Sequence, residues 1–287
     1  FRWQRNALTA VNSCSPTPEY SAKNIIKRFG VKLVCTTDDP IDTLEWHGRI
    51  KADETIQVKV CPSFRPDKAI NITKPGFAEY IGKLAASVGK EKLATAQEVI
   101  DALLERIEFF HEMGCRASDH GLDYVPYQDC CPNCADKAFK KAMAGEELSL
   151  AEAEKYQYQL LLHLGREYSR LGIAMQIHYS CLRNVNERMY RLLGPDTGFD
   201  TIAQNTCGGA ITKFLSALEK DGSCPKTILY SLNPADNEQI GTIIGAFQGS
   251  EVPGKIQHGS AWWFNDHFDG MIAQIKSLAS LGYLAGF

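Results

Sequence analysis

The chain has 287 residues, 44% of them hydrophobic and 23% charged, and a formal net charge of -3. That is the ordinary balance of a globular protein, long enough for one large domain or two ordinary ones, so disorder does not dominate. The charge provides no broad basic field for a nucleic acid, and no apolar run approaches the roughly 20 residues needed to span a bilayer.

The opening FRWQRNALTAVNS has neither a continuous apolar core nor a cleavage-like end, unlike a secretory signal, and its start on Phe1 points to processing, trimming or missing sequence before it. Val31–Cys35 reads as the first strand and ends in Thr36-Thr37-Asp38-Asp39-Pro40. Asp39 before Pro40 predicts a helix N-cap with proline at the first helical position, the helix running on through Leu44 and Ile50. Ile56–Val60 is a second strand, followed by Ser63-Phe64-Arg65-Pro66-Asp67-Lys68 and helical stretches over 76–86 and 96–113. Cys115–Ser118 is a short third strand ending in Asp119-His120-Gly121, and 134–171 predicts two helices broken near Gly145. Ile173–His178, Thr227–Tyr230 and Lys255–His258 are the fourth, fifth and sixth strands, and a last helix runs from about Gly270 to Leu281.

Strands alternating with helices argue for a parallel sheet with right-handed crossovers. No G-x-G-x-x-G follows the first strand and no G-x-x-x-x-G-K-[ST] occurs, so the phosphate-cradling signatures of nucleotide-binding open sheets are lacking. Nearly every strand instead ends in a polar or aromatic cluster, the habit of barrels whose sites are assembled from the loops on one face. The expected fold is an α/β, TIM-type (β/α)8 barrel forming a single domain over 1–287, with about six of its eight strands recognisable.

Arg65, straight after a strand in a proline-stiffened loop, is a candidate clamp for a carboxylate or phosphate, with a surface pairing to Asp67 as the plainer reading. His178 closes an apolar strand with Arg183-Asn184 just beyond, and its imidazole could act as acid, base or ligand. Asp119-His120 is an acid/imidazole pair at another strand end, catalytic or merely a packed turn, while Asp39 is explained by capping and Asp38 is a weak catalytic candidate. Trp262-Trp263 could stack on the apolar face of a sugar ring, although a tryptophan in a long loop also packs for its own sake. Leu193–Asp200, rich in turn residues, looks structural or lid-like. The ten cysteines, in a large chain without an export signal, argue for a reducing cytoplasm over a disulfide framework. Cys130-Cys131-Pro132-Asn133-Cys134 contains one C-x-x-C with no matched second pair, so incidental loop thiols are expected over a metal knot. These residues alone point to a barrel enzyme acting on a small, polar, anionic substrate.

Taken together, Thr36–Pro40, Phe64–Lys68, Arg116–Gly121, Arg188–Asp200, Lys226–Tyr230 and Trp262–Asp266 resemble the uronate isomerase (glucuronate isomerase) family, part of the amidohydrolase superfamily of metal-dependent barrels. The resemblance covers nearly the whole chain, in order. It implies interconversion of aldose and ketose hexuronates (glucuronate with fructuronate, galacturonate with tagaturonate) by proton transfer from C2 to C1 through an ene-diol-like intermediate. It matches Arg65 to a family arginine expected to bind substrate, Trp262 to a tryptophan in the sugar pocket and His178 to the histidine ending the fifth barrel strand; beside His178, the strand ends themselves offer Asp119 and His120 as catalytic candidates and Arg183 as a substrate-binding one. It also implies a divalent metal, zinc by preference, a small-molecule hexuronate partner, and a cytoplasmic setting without nucleic acid or membrane.

The departures are specific. The family's His-x-His pair is absent, since no two of the seven histidines are two apart, and its Thr-Asp-Ser-Arg phrase would fall beyond Phe287. The six strands are therefore expected to be strands two to seven of the barrel, with no metal ligand in this chain and no isomerase activity from these residues alone. Two unpaired strand edges would invite pairing with another copy, so a homo-oligomer stays open. Tyr179–Arg183 departs from the commoner Ile-Gly-Ala type run and alters the pocket lining. A metal-dependent amidohydrolase-type hydrolase and a non-catalytic sugar-acid-binding fragment remain alternatives.

Overall fold

A computed structural model describes residues 17–129, 131–204, 207–250 and 252–282; the opening segment and Cys130 lie outside them. The strands are β1 (Leu33–Cys35), β2 (Lys59–Cys61), β3 (Ser63–Phe64), β4 (Ala117–Gly121), β5 (Ala174–Tyr179), β6 (Cys181–Leu182), β7 (Thr201–Ile202), β8 (Thr227–Ser231) and β9 (Ile256–His258). Among the helices, α1 (Ala22–Arg28), α2 (Glu45–Ala52), α3 (Asp67–Ile70), α4 (Phe77–Ser87) and α5 (Ala96–Glu112) precede β4 or flank it in sequence. They are followed by α6 (Pro132–Met143), α7 (Leu150–Leu171), α8 (Glu187–Leu193), α9 (Gly208–Glu219), α10 (Asn237–Ala246) and α11 (Phe268–Ser280).

Strands β3-β4-β5-β8-β9 form a parallel sheet in chain order, and β1 pairs in parallel with β2. A bridge between Asp38 and Phe64 carries β1 alongside β3, so the pair continues into the main sheet. Helices lie between β1 and β2, β3 and β4, β4 and β5, β5 and β8, and β8 and β9, the α/β pattern expected from the sequence. Thr95 with Glu98, and Ser149 with Glu152, form capping boxes that start α5 and α7, and Gly172 in the left-handed region ends α7. The predicted break near Gly145 is also present, between α6 and α7.

The alternation along each strand decides what faces where. Ser118 and His120, Met175 and Ile177, Thr227 and Leu229, and Ile256 and His258 are buried on the helix-covered side. Asp119 and Gly121, Gln176 and His178, Tyr230 and Gln257 fall on the other, less buried side. The register sets Gly121 beside His178 and His178 beside Tyr230, so these residues form one row.

Two local expectations are corrected. Asp39 caps a turn, accepting from the Ile41 N–H at 3.2 Å, and the helix starts later, at Glu45, because Leu44 sits in the left-handed region at φ 54°. The Cys131 side of the cysteine cluster is the start of α6 and not a loop. Helices α8, α9 and α10 and the β6/β7 hairpin carry no counterpart in the sequence reading; α9 opens on Gly208-Gly209, which hides its apolar period.

Candidate active site

The strand ends bring a carboxylate, an imidazole and a guanidinium together on the open face. Asp119 Oδ1 lies 3.0 Å from His178 Nδ1, an electrostatic contact without the alignment of a full hydrogen bond. The other oxygen, Oδ2, lies 3.4 Å from Arg65 Nη1. Burial raises the Asp119 pKa, but the His178 contact and then Arg65 outweigh it, and the carboxyl sits below its usual range. Thr37 adds a longer hydroxyl donation to Oδ2 at 3.4 Å.

Arg65 is aimed by Asp67. Its Nε donates to Asp67 Oδ2 at 2.8 Å, and the same oxygen accepts from the Gly121 N–H at 3.0 Å. Burial works against the guanidinium's charge, yet Asp67 and then Asp119 hold Arg65 above its ordinary pKa. Burial also pushes the Asp67 carboxyl up, with Arg65 opposing it, and its Oδ1 has no partner. The pairing that looked like the plain alternative for Arg65 is therefore what orients it. Gly121 leaves room for this arrangement, because a Cβ would overlap the end of the Arg65 side chain and displace the guanidinium.

Aromatic rings wall the imidazole. Tyr230 stacks on His178 with centroids 4.2 Å apart and planes at 9°, and Trp262 meets it edge-on at 4.9 Å. The Tyr230 hydroxyl donates to Gln176 Oε1 at 3.0 Å, and Gly259 leaves the space its ring needs. Trp263 stacks on Trp262 at 5.4 Å and carries the Arg183 guanidinium 4.7 Å above its ring. Arg183 is also tied to Asp200 at 3.0 Å, whose second oxygen accepts from the Asn184 N–H. The turn-rich loop thus has its end fixed to Arg183 and Asn184, just beyond β6.

His120 is not brought to this group. As the strand neighbour of Asp119 it points to the opposite face, fully buried, with its ring 5.7 Å from Tyr168. Both ring nitrogens lack partners among the described residues, and burial pushes its pKa down to about 4. Asp38 accepts from the Thr36 hydroxyl at 2.6 Å and the Ser63 N–H at 3.2 Å, pinning strand to strand. Tyr230 and Gln176 are the neighbours of this cluster that reading strand ends one at a time missed, while Asp67 was read only as a surface partner of Arg65; the alternation that puts Gln176 on the side of His178 was the available signal.

Among the described residues no group of three or more His, Cys, Asp or Glu is arranged to hold a metal ion. Asp119 and His178 alone do not make a complete ligand set for a metal ion.

A parallel strand–helix sheet with its charged and aromatic groups at the carboxyl ends of the strands is the anatomy of a β/α-barrel protein. A family model for glucuronate isomerase matches residues 4–287, and the chain belongs to that family. It is 50% identical over 267 residues to the uronate isomerase of Clostridium acetobutylicum, covering 93% of this chain and 57% of that protein. To the uronate isomerase of Caldicellulosiruptor bescii it is 52% identical over 269 residues, covering 94% and 58%. Of solved structures, the uronate isomerase of Thermotoga maritima superposes with a TM-score of 0.84 at 32% identity, over 92% of this chain and 56% of that one. The Caulobacter crescentus glucuronate isomerase, at 22% identity and a TM-score of 0.85, shares the fold. The chain thus spans somewhat under three-fifths the length of these relatives. No helix among the described residues is long and apolar enough to cross a membrane.

Proposed function

We propose that this chain supplies the substrate-facing part of a uronate isomerase that interconverts aldose and ketose hexuronates. The observation carrying the proposal is the Arg65–Asp119–His178 cluster at the strand ends, in a chain of the glucuronate isomerase family. Arg65, preset by Asp67, clamps the hexuronate carboxylate, with Arg183 as a second cation near the mouth. The sugar ring lies against the Trp262 edge of the aromatic wall.

His178 exchanges the proton that leaves C2 and arrives at C1. Asp119 stabilises the imidazolium formed in between, and a positioned acid–base group of this kind contributes on the order of 10²–10⁴-fold. His120 serves as core packing on the helix-covered side. The divalent metal expected of the family would polarise the C1 carbonyl, and we place its ligands at family positions other than these residues. In the same reading β1, β2 together with β3, β4, β5, β8 and β9 are strands two to seven of one barrel domain, working in the cytoplasm.

The test is proton NMR of glucuronate and galacturonate in deuterated water, comparing these 287 residues with a polypeptide of the relatives' length. Turnover with the longer polypeptide and none with the shorter is expected. Full turnover by these residues alone would overturn the placement of the metal ligands. Equal uronate affinity after Arg65→Ala would overturn the carboxylate clamp.

A further inference from the structure

Away from the strand ends, one pair of nucleophilic side chains takes no part in this chemistry. Cys131 is the exposed N-cap of α6, with Pro132 at the first helical position. The Cys134 N–H donates to the Cys131 carbonyl at 2.9 Å, closing the first turn, and the two Sγ atoms lie 3.3 Å apart. A closed four-residue turn keeps its end Cα atoms within about 7 Å. A disulfide spans about 4.4–6.8 Å between Cα atoms, so the helix start already holds the two residues in bonding range. Among the described residues no third His, Cys, Asp or Glu completes a metal site with them, whereas a structural zinc takes about four ligands.

We propose that Cys131 and Cys134 form a reversible dithiol–disulfide site that exchanges with small-molecule disulfides. The Cys131 thiolate attacks one sulfur of the external disulfide, forming a mixed disulfide and releasing one small thiolate. The Cys134 thiolate then attacks the Cys131 sulfur, and the second small thiolate leaves. The protein gives up two electrons and two protons, and the external disulfide is reduced to two thiols.

Cys131 is suited to the first attack. Hydrogen bonding from Cys134 and then from the helix-start N–H groups holds its thiol below the usual pKa, as expected at a helix N-terminus. Cys35, the other exposed free cysteine among the described residues, has its pKa raised, chiefly by burial. Cys61, Cys115, Cys181, Cys207 and Cys224 are buried, which keeps them from exchange.

The experiment equilibrates the whole chain with mixtures of reduced and oxidised glutathione at neutral pH, quenches by alkylation, and maps the cysteines by tandem mass spectrometry. The expected result is loss of two hydrogens between Cys131 and Cys134, reversed by excess reduced glutathione and retained in Cys130→Ser. Cys134→Ser is expected to accumulate a stable glutathione adduct on Cys131. Cys131 should also alkylate faster than Cys35, reflecting their opposite pKa displacements. Three results would each overturn the proposal: no 131–134 bond in fully oxidised glutathione, a bond that requires Cys130, or a zinc ion retained by the native chain at these sulfurs.

Discussion

Gly121→Ala tests whether the clamp is set by the backbone beneath it. The new methyl group would occupy the space of Arg65 Nη2 and come within 3.1 Å of Asp67 Oδ2. Nη2 ends a flexible side chain, so the guanidinium swings away while the strand stays. That breaks the 2.8 Å bond to Asp67 and the 3.4 Å contact to Asp119. Hydrogen bonds to charged groups contribute about 1.5–3 kcal/mol. A misaimed, one-third-exposed Arg65 forfeits about one such bond to the uronate carboxylate, about 1.5–3 kcal/mol, a loss of roughly ten- to a hundredfold in uronate affinity. The assay is calorimetric titration of glucuronate against the parent, G121A, R65A and the double variant. If Gly121 acts through Arg65, the double variant binds no more weakly than R65A, a large coupling in the cycle. Parent-like affinity in G121A, or fully additive losses, would refute the reasoning, and unchanged melting temperatures would show the fold is not the cause.

Asp119→Asn should lower turnover of the active polypeptide by about 10²–10⁴-fold while uronate still binds, measured as kcat and as deuterium incorporation at C1. Trp263→Ala removes the ring under Arg183, an interaction of about 0.5–1 kcal/mol at an exposed site, so KM should rise about two- to fivefold with kcat nearly constant. Acid should destabilise the fold through His120 and His258, both buried with pKa pushed down to about 4 by burial. Their folded pKa lies below the unfolded value of 6.5, so the unfolded chain binds protons first and stability falls as pH drops from about 6.5 to about 4, by up to roughly 3 kcal/mol per histidine. Denaturant melts across that window should be shallower in pH for His120→Leu, and an unchanged slope would count against a buried neutral imidazole.

The strand–helix rhythm was legible because strands such as β1, β5 and β8 are short β-branched or apolar runs, and long helices have explicit start signals, such as Thr95 with Glu98 and Ser149 with Glu152. The segment between His178 and Thr227 was not legible. Its hairpin is two residues to a strand, and its geometry rests on left-handed residues at Ser180, Asn184 and Asp196, which have no periodic signature. The Asp39 helix start failed for a related reason: the capping chemistry is real, but Tyr80 and Lys68 also take up that carboxylate, and the chain turns once more before the helix begins.

The site itself shows where adjacency in sequence misleads. Asp119 and His120 look like an acid–base pair because they are neighbours, yet neighbouring residues of a strand point to opposite faces. The pairing that forms joins Asp119 to His178, far apart in the chain and brought to one side by adjacent parallel strands. The same rule predicts the division of labour among the histidines. His178 on the open row lies beside the Asp119 carboxylate, whereas His120 and His258, one residue out of phase, are held neutral in the core. Moving the strand register by one residue would exchange these environments, so the chemistry at the mouth depends on the apolar residues Met175, Ile177 and Leu229, which fix the register from the other face.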